Sequence, residues 1–134
     1  MKKIQILIIC CLVSYITSAQ NFQLTPEGVL SEVLKAVEEE DFTNIDMLCH
    51  PLVDNDQDVQ NICDLDLSLN DEINEFIEYF ENLEEIGDTT YSYSLDGFKM
   101  AEIPLMFYDL EDDSLSVKTM KFIRIESRWY LFSF

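Results

Sequence analysis

Thr90-Tyr91-Ser92-Tyr93-Ser94-Leu95-Asp96-Gly97-Phe98-Lys99-Met100-Ala101-Glu102-Ile103-Pro104-Leu105-Met106-Phe107 is where the hydrophobic period of the chain drops from helical to two. Tyr91, Tyr93 and Leu95 alternate with Thr90, Ser92 and Ser94. Ala101, Ile103, Leu105 and Phe107 then take up the same alternation. Two strands are predicted here, joined at Asp96-Gly97 by a two-residue hairpin turn. Pro104 has no N–H to give a ladder, which marks part of the second strand as an edge or a bulge. Downstream, Glu111-Asp112-Asp113-Ser114 turns the chain again and residues 117–125 read as a third strand. Glu126-Ser127 makes a tight connection to a fourth, at 128–134.

Upstream the apolar spacing is helical. Thr25-Pro26-Glu27 reads as an N-cap, an N1 proline and a first-turn acid. Val29, Leu30, Val33, Leu34 and Val37 then form one stripe of a helix running to about Glu40. It ends in Glu38-Glu39-Glu40-Asp41, four acids where the helix dipole favours cations, so this end should fray or carry a charge-related role. Phe42, Ile45 and Leu48 mark a second short helical piece, with Thr43 as its cap and His50-Pro51 as its stop. Residues 51–66 are irregular, although Val59 and Ile62 fit one helical turn. Asn70-Asp71-Glu72 opens the clearest helix. Its buried face is Ile73, Phe76, Ile77, Phe80 and Leu83, its acids point away, and Gly87 closes it after Ile86.

Helices followed by a strand meander make an α+β fold: N-terminal helices packed on a curved, four-stranded antiparallel sheet. Such a sheet meets helices on one side only. Both of its faces are bulky, with Trp129 and Leu131 pointing one way and Tyr130, Phe132 and Phe134 the other. One face must be core, and the second is a candidate surface for a ligand, a protein partner or a homodimer through the sheet. Tyr91, Tyr93, Tyr108, Trp129, Tyr130 and Phe132 are the candidate residues.

Composition sets the compartment and excludes several partners. The chain has 134 residues, with 8 Lys+Arg against 27 Asp+Glu, for a net charge of −19. Met1-Lys2-Lys3, an apolar run from Ile4 to Ile16 and Thr17-Ser18-Ala19 read as a secretion signal over residues 1–19. That leaves one domain at 20–134, and the two leader lysines depart without any acid, so the mature protein is more negative still. A nucleic-acid binder needs a cationic face, and so does a protein docking on anionic lipid. Disorder is also disfavoured, because 48% of the residues are hydrophobic and 12% aromatic. The expected location is exported, periplasmic or secreted, with no membrane attachment once the leader is cleaved.

Cleavage also removes Cys10 and Cys11. Cys49 and Cys63 remain, an even pair in an oxidising compartment, and are expected to form a disulfide across the polar stretch between them. Free-thiol labelling of the native mature protein should find none, and two reactive thiols would refute the bridge.

Three passages resemble the cystatin-like α+β roll of the NTF2-like superfamily. Val37-Glu38-Glu39-Glu40-Asp41-Phe42-Thr43-Asn44-Ile45 resembles the joint between its first two helices. Residues 70–83 resemble the helix that leads into the sheet. Met120-Lys121-Phe122-Ile123-Arg124-Ile125-Glu126-Ser127-Arg128-Trp129-Tyr130-Leu131 resembles the closing hairpin. Leu48-Cys49-His50-Pro51 through Ile62-Cys63 is similar to a segment shared by small exported bacterial proteins of unknown function. The joint residue is usually glycine in that superfamily, whereas this chain has Asp41 with no glycine beside it. The resemblance implies long and short helices in the concave side of a curved sheet. It transfers no activity, because isomerases, dehydratases and noncatalytic modules share the fold.

Few motifs carry chemistry. Asp54, Asp56 and Asp58 form the Asp-x-Asp-x-Asp opening of a calcium loop, with Asp64 and Asp66 just beyond. Val59 and Leu65 stand where an EF-hand needs glycine and glutamate, which leaves only a looser calcium site; solvated or helix-capping aspartates are the simpler account. His50 is the single histidine, so multi-histidine metal centres are excluded. The resemblance to isomerases implies an aspartate base and a tyrosine donor inside the cone, for which Tyr91, Tyr93, Tyr108, Tyr130 and Asp109 are available. The alternating positions Ala101, Ile103, Leu105 and Phe107 nevertheless supply no proton-transferring group. With Gly28, Gly87 and Gly97 the only glycines, there is no phosphate loop. The sequence assigns no catalytic residue, no cofactor and no firm metal site. The leading expectation is a noncatalytic binding module for a small apolar molecule or a protein. An acidic, immunity-type partner that neutralises a basic protein and a small NTF2-like isomerase or dehydratase are the alternatives.

Overall fold

The computed structural model describes residues 21–51, 53, 55–64 and 70–134. The expected signal segment, Asp54, Leu65 and Asp66 lie outside the described residues. The fold is α+β, with helices preceding an antiparallel sheet. Helix α1 spans Pro26–Glu39, α2 Gln57–Cys63 and α3 Asn70–Glu81. Five strands follow: β1 Leu83–Ile86, β2 Thr90–Tyr93, β3 Lys99–Asp109, β4 Ser114–Ile125 and β5 Arg128–Ser133.

Helix α1 starts as the sequence predicts. Thr25 Oγ1 accepts from Gly28 N at 3.0 Å, and Pro26 fills the first helical position. Its other end does not simply fray. Glu40 adopts a left-handed conformation, with φ at 52°, and returns its N–H to the Ala36 and Val37 carbonyls. Asp41 N reaches back to Ala36 O at 3.0 Å, which completes a Schellman-type closure. A side chain in that region costs about 1–2 kcal/mol that glycine avoids. Glu40→Gly is therefore expected to stabilise the fold by about 1 kcal/mol in thermal unfolding. A neutral or destabilising result would show that the closure is not under this strain. Thr43 is not the cap of the next turn: a 3-10 turn at Ile45–Leu48 follows Asn44, and Thr43 N and Oγ1 both donate to Asp41 Oδ1. Those two bonds hold the Asp41 carboxyl below its usual value.

The sheet has one strand more than expected, because α3 ends at Glu81 and Leu83–Ile86 leaves it to become β1. The helical spacing that places Leu83 on the α3 face is overridden by pairing with β3, in register Leu83↔Phe107 and Ile86↔Leu105. Gly87 accordingly closes a strand rather than a helix. Its N–H donates to Pro104 O at 2.8 Å, and a Cβ there would stand 3.1 Å from the Pro104 ring.

β1 and β2 pair in succession with one side of β3, and β4 and β5 complete the sheet on the other. Pro104 is thus in a central strand that runs unbroken. A residue's N–H and C=O leave a strand on the same side. The missing Pro104 donor therefore faces the junction of β1 and β2, where Gly87 N still donates to the Pro104 carbonyl. The Asp96-Gly97 turn is longer than two residues. Ser94 N donates to Phe98 O at 2.9 Å and Gly97 N to Ser94 O at 3.0 Å, with Gly97 at φ 83°, a three-residue loop with a glycine bulge. Glu126 and Ser127, at φ 48° and 72°, form the tight β4–β5 turn.

The face built on Ala101, Ile103, Leu105 and Phe107 is the buried one. Met120, Phe122, Trp129 and Leu131 continue it across the sheet, and Val29, Leu30 and Val33 cover it from α1. Two expectations change, one of role and one of direction. Trp129 is 3% exposed and belongs to this core rather than to a surface. Phe134 also lies on the helix side, its ring 5.7 Å from that of buried Phe80. Lys121 pairs with Ser133 while Phe122 pairs with Leu131, so Phe132 is an extra residue in β5. One inserted residue reverses the parity of everything after it.

Candidate functional site

Cys49 and Cys63 form the expected disulfide, with Cα atoms 6.0 Å apart. It ties the end of the Ile45–Leu48 turn to the end of α2, and Cys49 also bridges to Leu131 along the free edge of β5. Helix α2 has only seven residues, too few to persist without tertiary support. It is held by the disulfide, by buried Val59 and Ile62, and by Asp56 at its start. Asp56 Oδ1 accepts from Val59 N at 2.9 Å, and Oδ2 accepts from Phe134 N at 3.0 Å. One carboxylate therefore caps a helix and anchors the last residue of the chain.

Partial loss of water raises the Asp56 carboxyl. The Val59 N–H, the Ser133 hydroxyl, the Phe134 N–H and the Lys118 charge outweigh that and hold it below its usual value. A depressed folded value means that the carboxylate's contribution is complete above the unfolded value, about 4, and is lost as pH falls through the folded one. Asp56→Ala is expected to cost about 1 kcal/mol at neutral pH, as cap removal does. In urea titrations the gap between the parent and Asp56→Ala should close on the acid side. A gap that persists below the folded value would show that the charge is not what Asp56 contributes.

With α2 fixed in this way, a cleft of about 570 Å³ opens between it, α3 and the end of the sheet. Phe76, Tyr79 and Phe80 line it from α3, and Phe134 from the chain end. The four rings form one connected cluster: Phe76 and Phe80 lie 5.0 Å apart, Tyr79 and Phe134 5.8 Å, and Phe80 stacks on Phe134. Asp58, Asp64 and Glu75 are on the walls. Lys118 reaches in from β4, its Nζ 3.6 Å from Asp58 Oδ2, 5.3 Å from the Tyr79 ring centre and 5.1 Å from that of Phe134. Burial pushes the Tyr79 hydroxyl above its ordinary value; Lys118, by charge and hydrogen bond, opposes this and Asp58 adds to it.

The structure distributes the sequence candidates rather than gathering them. Tyr91 and Tyr93 are exposed on β2, at the end of the helix-side face that the helices do not reach, and Lys99 Nζ lies 4.7 Å over the Tyr91 ring. Tyr108 and Tyr130 occupy the opposite face by register. The Tyr108 hydroxyl bonds Asp113, and the Tyr130 ring meets His50 edge-on at 4.9 Å. That opposite face also exposes Leu115 and Val117, beside a groove of about 400 Å³ lined by Met106 and Tyr108 among others. Phe132 is half-buried at the bulge. Of the calcium candidates, Asp56 and Asp58 are engaged by backbone N–H groups and by Lys118.

The helix-side face of the sheet, where the resemblance implies a ligand cone, is packed core. Ala101 and Leu105 are fully buried, and Gln23 is the one buried polar side chain among the described residues, its amide donating to Met47 O. An aspartate–tyrosine pair of the isomerase kind has no counterpart among those core residues.

Sequence reading missed the cleft, although one signal was present. In β4 the helix-side row reads Ser116, Lys118, Met120 and Phe122, and a lysine at core parity needs a counter-charge or a route to water. Searches against known families, curated proteins and solved structures find no match to this chain.

Proposed function

We propose that the chain is an exported, noncatalytic binding module of the NTF2-like kind that holds its ligand in the cleft between α2, α3 and the chain end, not in the cone. The observation that carries this is the wall formed by one connected cluster of four rings, Phe76, Tyr79, Phe80 and Phe134, in a cleft of about 570 Å³. That volume falls within the range of small-molecule sites, and such sites combine an aromatic lining with a few polar groups. The Cys49–Cys63 bridge supports an oxidising, exported location. Helices preceding an antiparallel sheet support the roll.

Native mass spectrometry tests the proposal on protein recovered at low salt from the envelope of its own producing cells. The expected result is an adduct of small-molecule mass that disappears in Phe76→Lys, which puts a positive charge on the wall at a half-buried position. A bare mass for the parent protein, or an adduct retained by Phe76→Lys, would overturn the assignment to this cleft.

A further inference from the structure

We infer that the group this cleft takes is a cation, an ammonium or guanidinium on an apolar or aromatic body. The inference rests on the binding proposal above and gives the chemistry of its ligand. The chain already seats one such cation there. Lys118 leaves the core row of β4 and places its ammonium between the rings of Tyr79 and Phe134, against Asp58. The face of an aromatic ring is electron-rich and attracts a cation within about 6 Å. Lys118 thereby shows what the walls prefer.

It does not satisfy them. Three carboxylates, Asp58, Asp64 and Glu75, line the cleft, and Lys118 is the one cation among the lining residues. Phe76, beside Glu75 on α3, extends the ring wall further. The net charge of the whole chain, −19, adds a long-range field that concentrates cations at its surface and repels anions. An anionic ligand would meet that field and would have to take Lys118 from Asp58. A neutral aromatic would gain the rings alone. A cation gains the rings and the carboxylates together. Both Lys118 and Asp58 keep about half of their side-chain surface, 44% and 52%, so their contact is loose enough to be exchanged for one with an incoming amine.

The source of the amine is a free organic base or a basic side chain on a protein. The full mature chain would be titrated with benzylamine, benzyl alcohol and benzoate, which share a ring and differ in charge. The ring proton signals of Phe76, Tyr79 and Phe134 would be followed by NMR. Benzylamine should shift them saturably and bind about tenfold more tightly than benzyl alcohol, with benzoate weakest and added salt eroding the difference. Lys118→Met keeps the stem and removes the internal competitor, so it should tighten benzylamine binding by about fivefold, while Asp58→Asn should weaken it by a similar factor.

Equal binding of benzylamine and benzyl alcohol would overturn the inference and leave the binding proposal standing. So would benzoate binding best and failing in Lys118→Met, which would make Lys118 an anion anchor. No shift with any of the three would overturn both. A doubly capped Gly-Lys-Gly peptide separates the sources: tighter binding than benzylamine points to a protein side chain, weaker binding to a free amine, and the cation inference is supported either way.

Discussion

Replacing Cys49 and Cys63 together by alanine is expected to lower the unfolding free energy by about 3 kcal/mol, the loss anticipated for a loop of this length. The bridge spans a sequence separation of 14 and brings α2 against the turn that follows α1. Without it, a seven-residue helix must be held by Val59, Ile62 and the Asp56 cap alone. Part of the loss arises in the unfolded chain, which the bridge keeps from expanding. Urea unfolding of parent and variant checks this through the midpoint, provided the slope stays the same. A loss under about 1 kcal/mol would mean that α2 docks by packing alone, contrary to the chain-entropy account. Because α2 forms one wall of the cleft, the same variant should also bind the amine probe more weakly.

Trp129→Ala is expected to cost about 3–5 kcal/mol. Trp129 is 3% exposed and its ring adjoins Tyr91 at 6.0 Å, on the row that also holds Leu131. Truncation leaves a cavity under the end of β5, where the short turn at Glu126 and Ser127 gives little freedom to collapse. Tyr93→Ala is the matched control. Tyr93 is 74% exposed on β2, and its loss should stay within about 0.5 kcal/mol. Thermal unfolding of the pair decides between a Trp129 that holds the core and one that serves a surface. Similar small shifts for both would return Trp129 to the surface role.

Several features were legible because their causes are local. Thr25 and Pro26 start α1 through their own side chains. Asp56, one of the aspartates whose simpler account is solvation or helix capping, caps α2 through Val59 N. Val59 and Ile62, one turn apart, sit together in the core. Alternation from Ala101 to Phe107 marked which residues share a face, and that face proved to be the buried one. The Cys49–Cys63 pairing followed from an even count once the leader cysteines were set aside. The misread strand elements depend on distant partners. Leu83–Ile86 has no strand periodicity of its own and becomes β1 because residues 105–107 offer it a ladder. The extra residue at Phe132 cannot be seen in the strand itself, since only the register against Lys121 and Phe122 defines it.

The order of helices before sheet, the α1 start, the bridge and the strongly acidic surface are local properties of the chain. Those follow from composition, short-range hydrogen bonds and periodicity, which act over a few residues. Tertiary structure alone decided the fifth strand, the burial of Trp129, the turn of Phe134 toward the helices and the cleft. Lys118 meets Asp58, Tyr79 and Phe134 there. Those groups come from β4, α2, α3 and the chain end, and no local rule couples them. Packing does: once α2 is tied down and the β5 bulge reverses parity, a lysine on the core row reaches the open side of the ring cluster, where its charge finds a carboxylate and water.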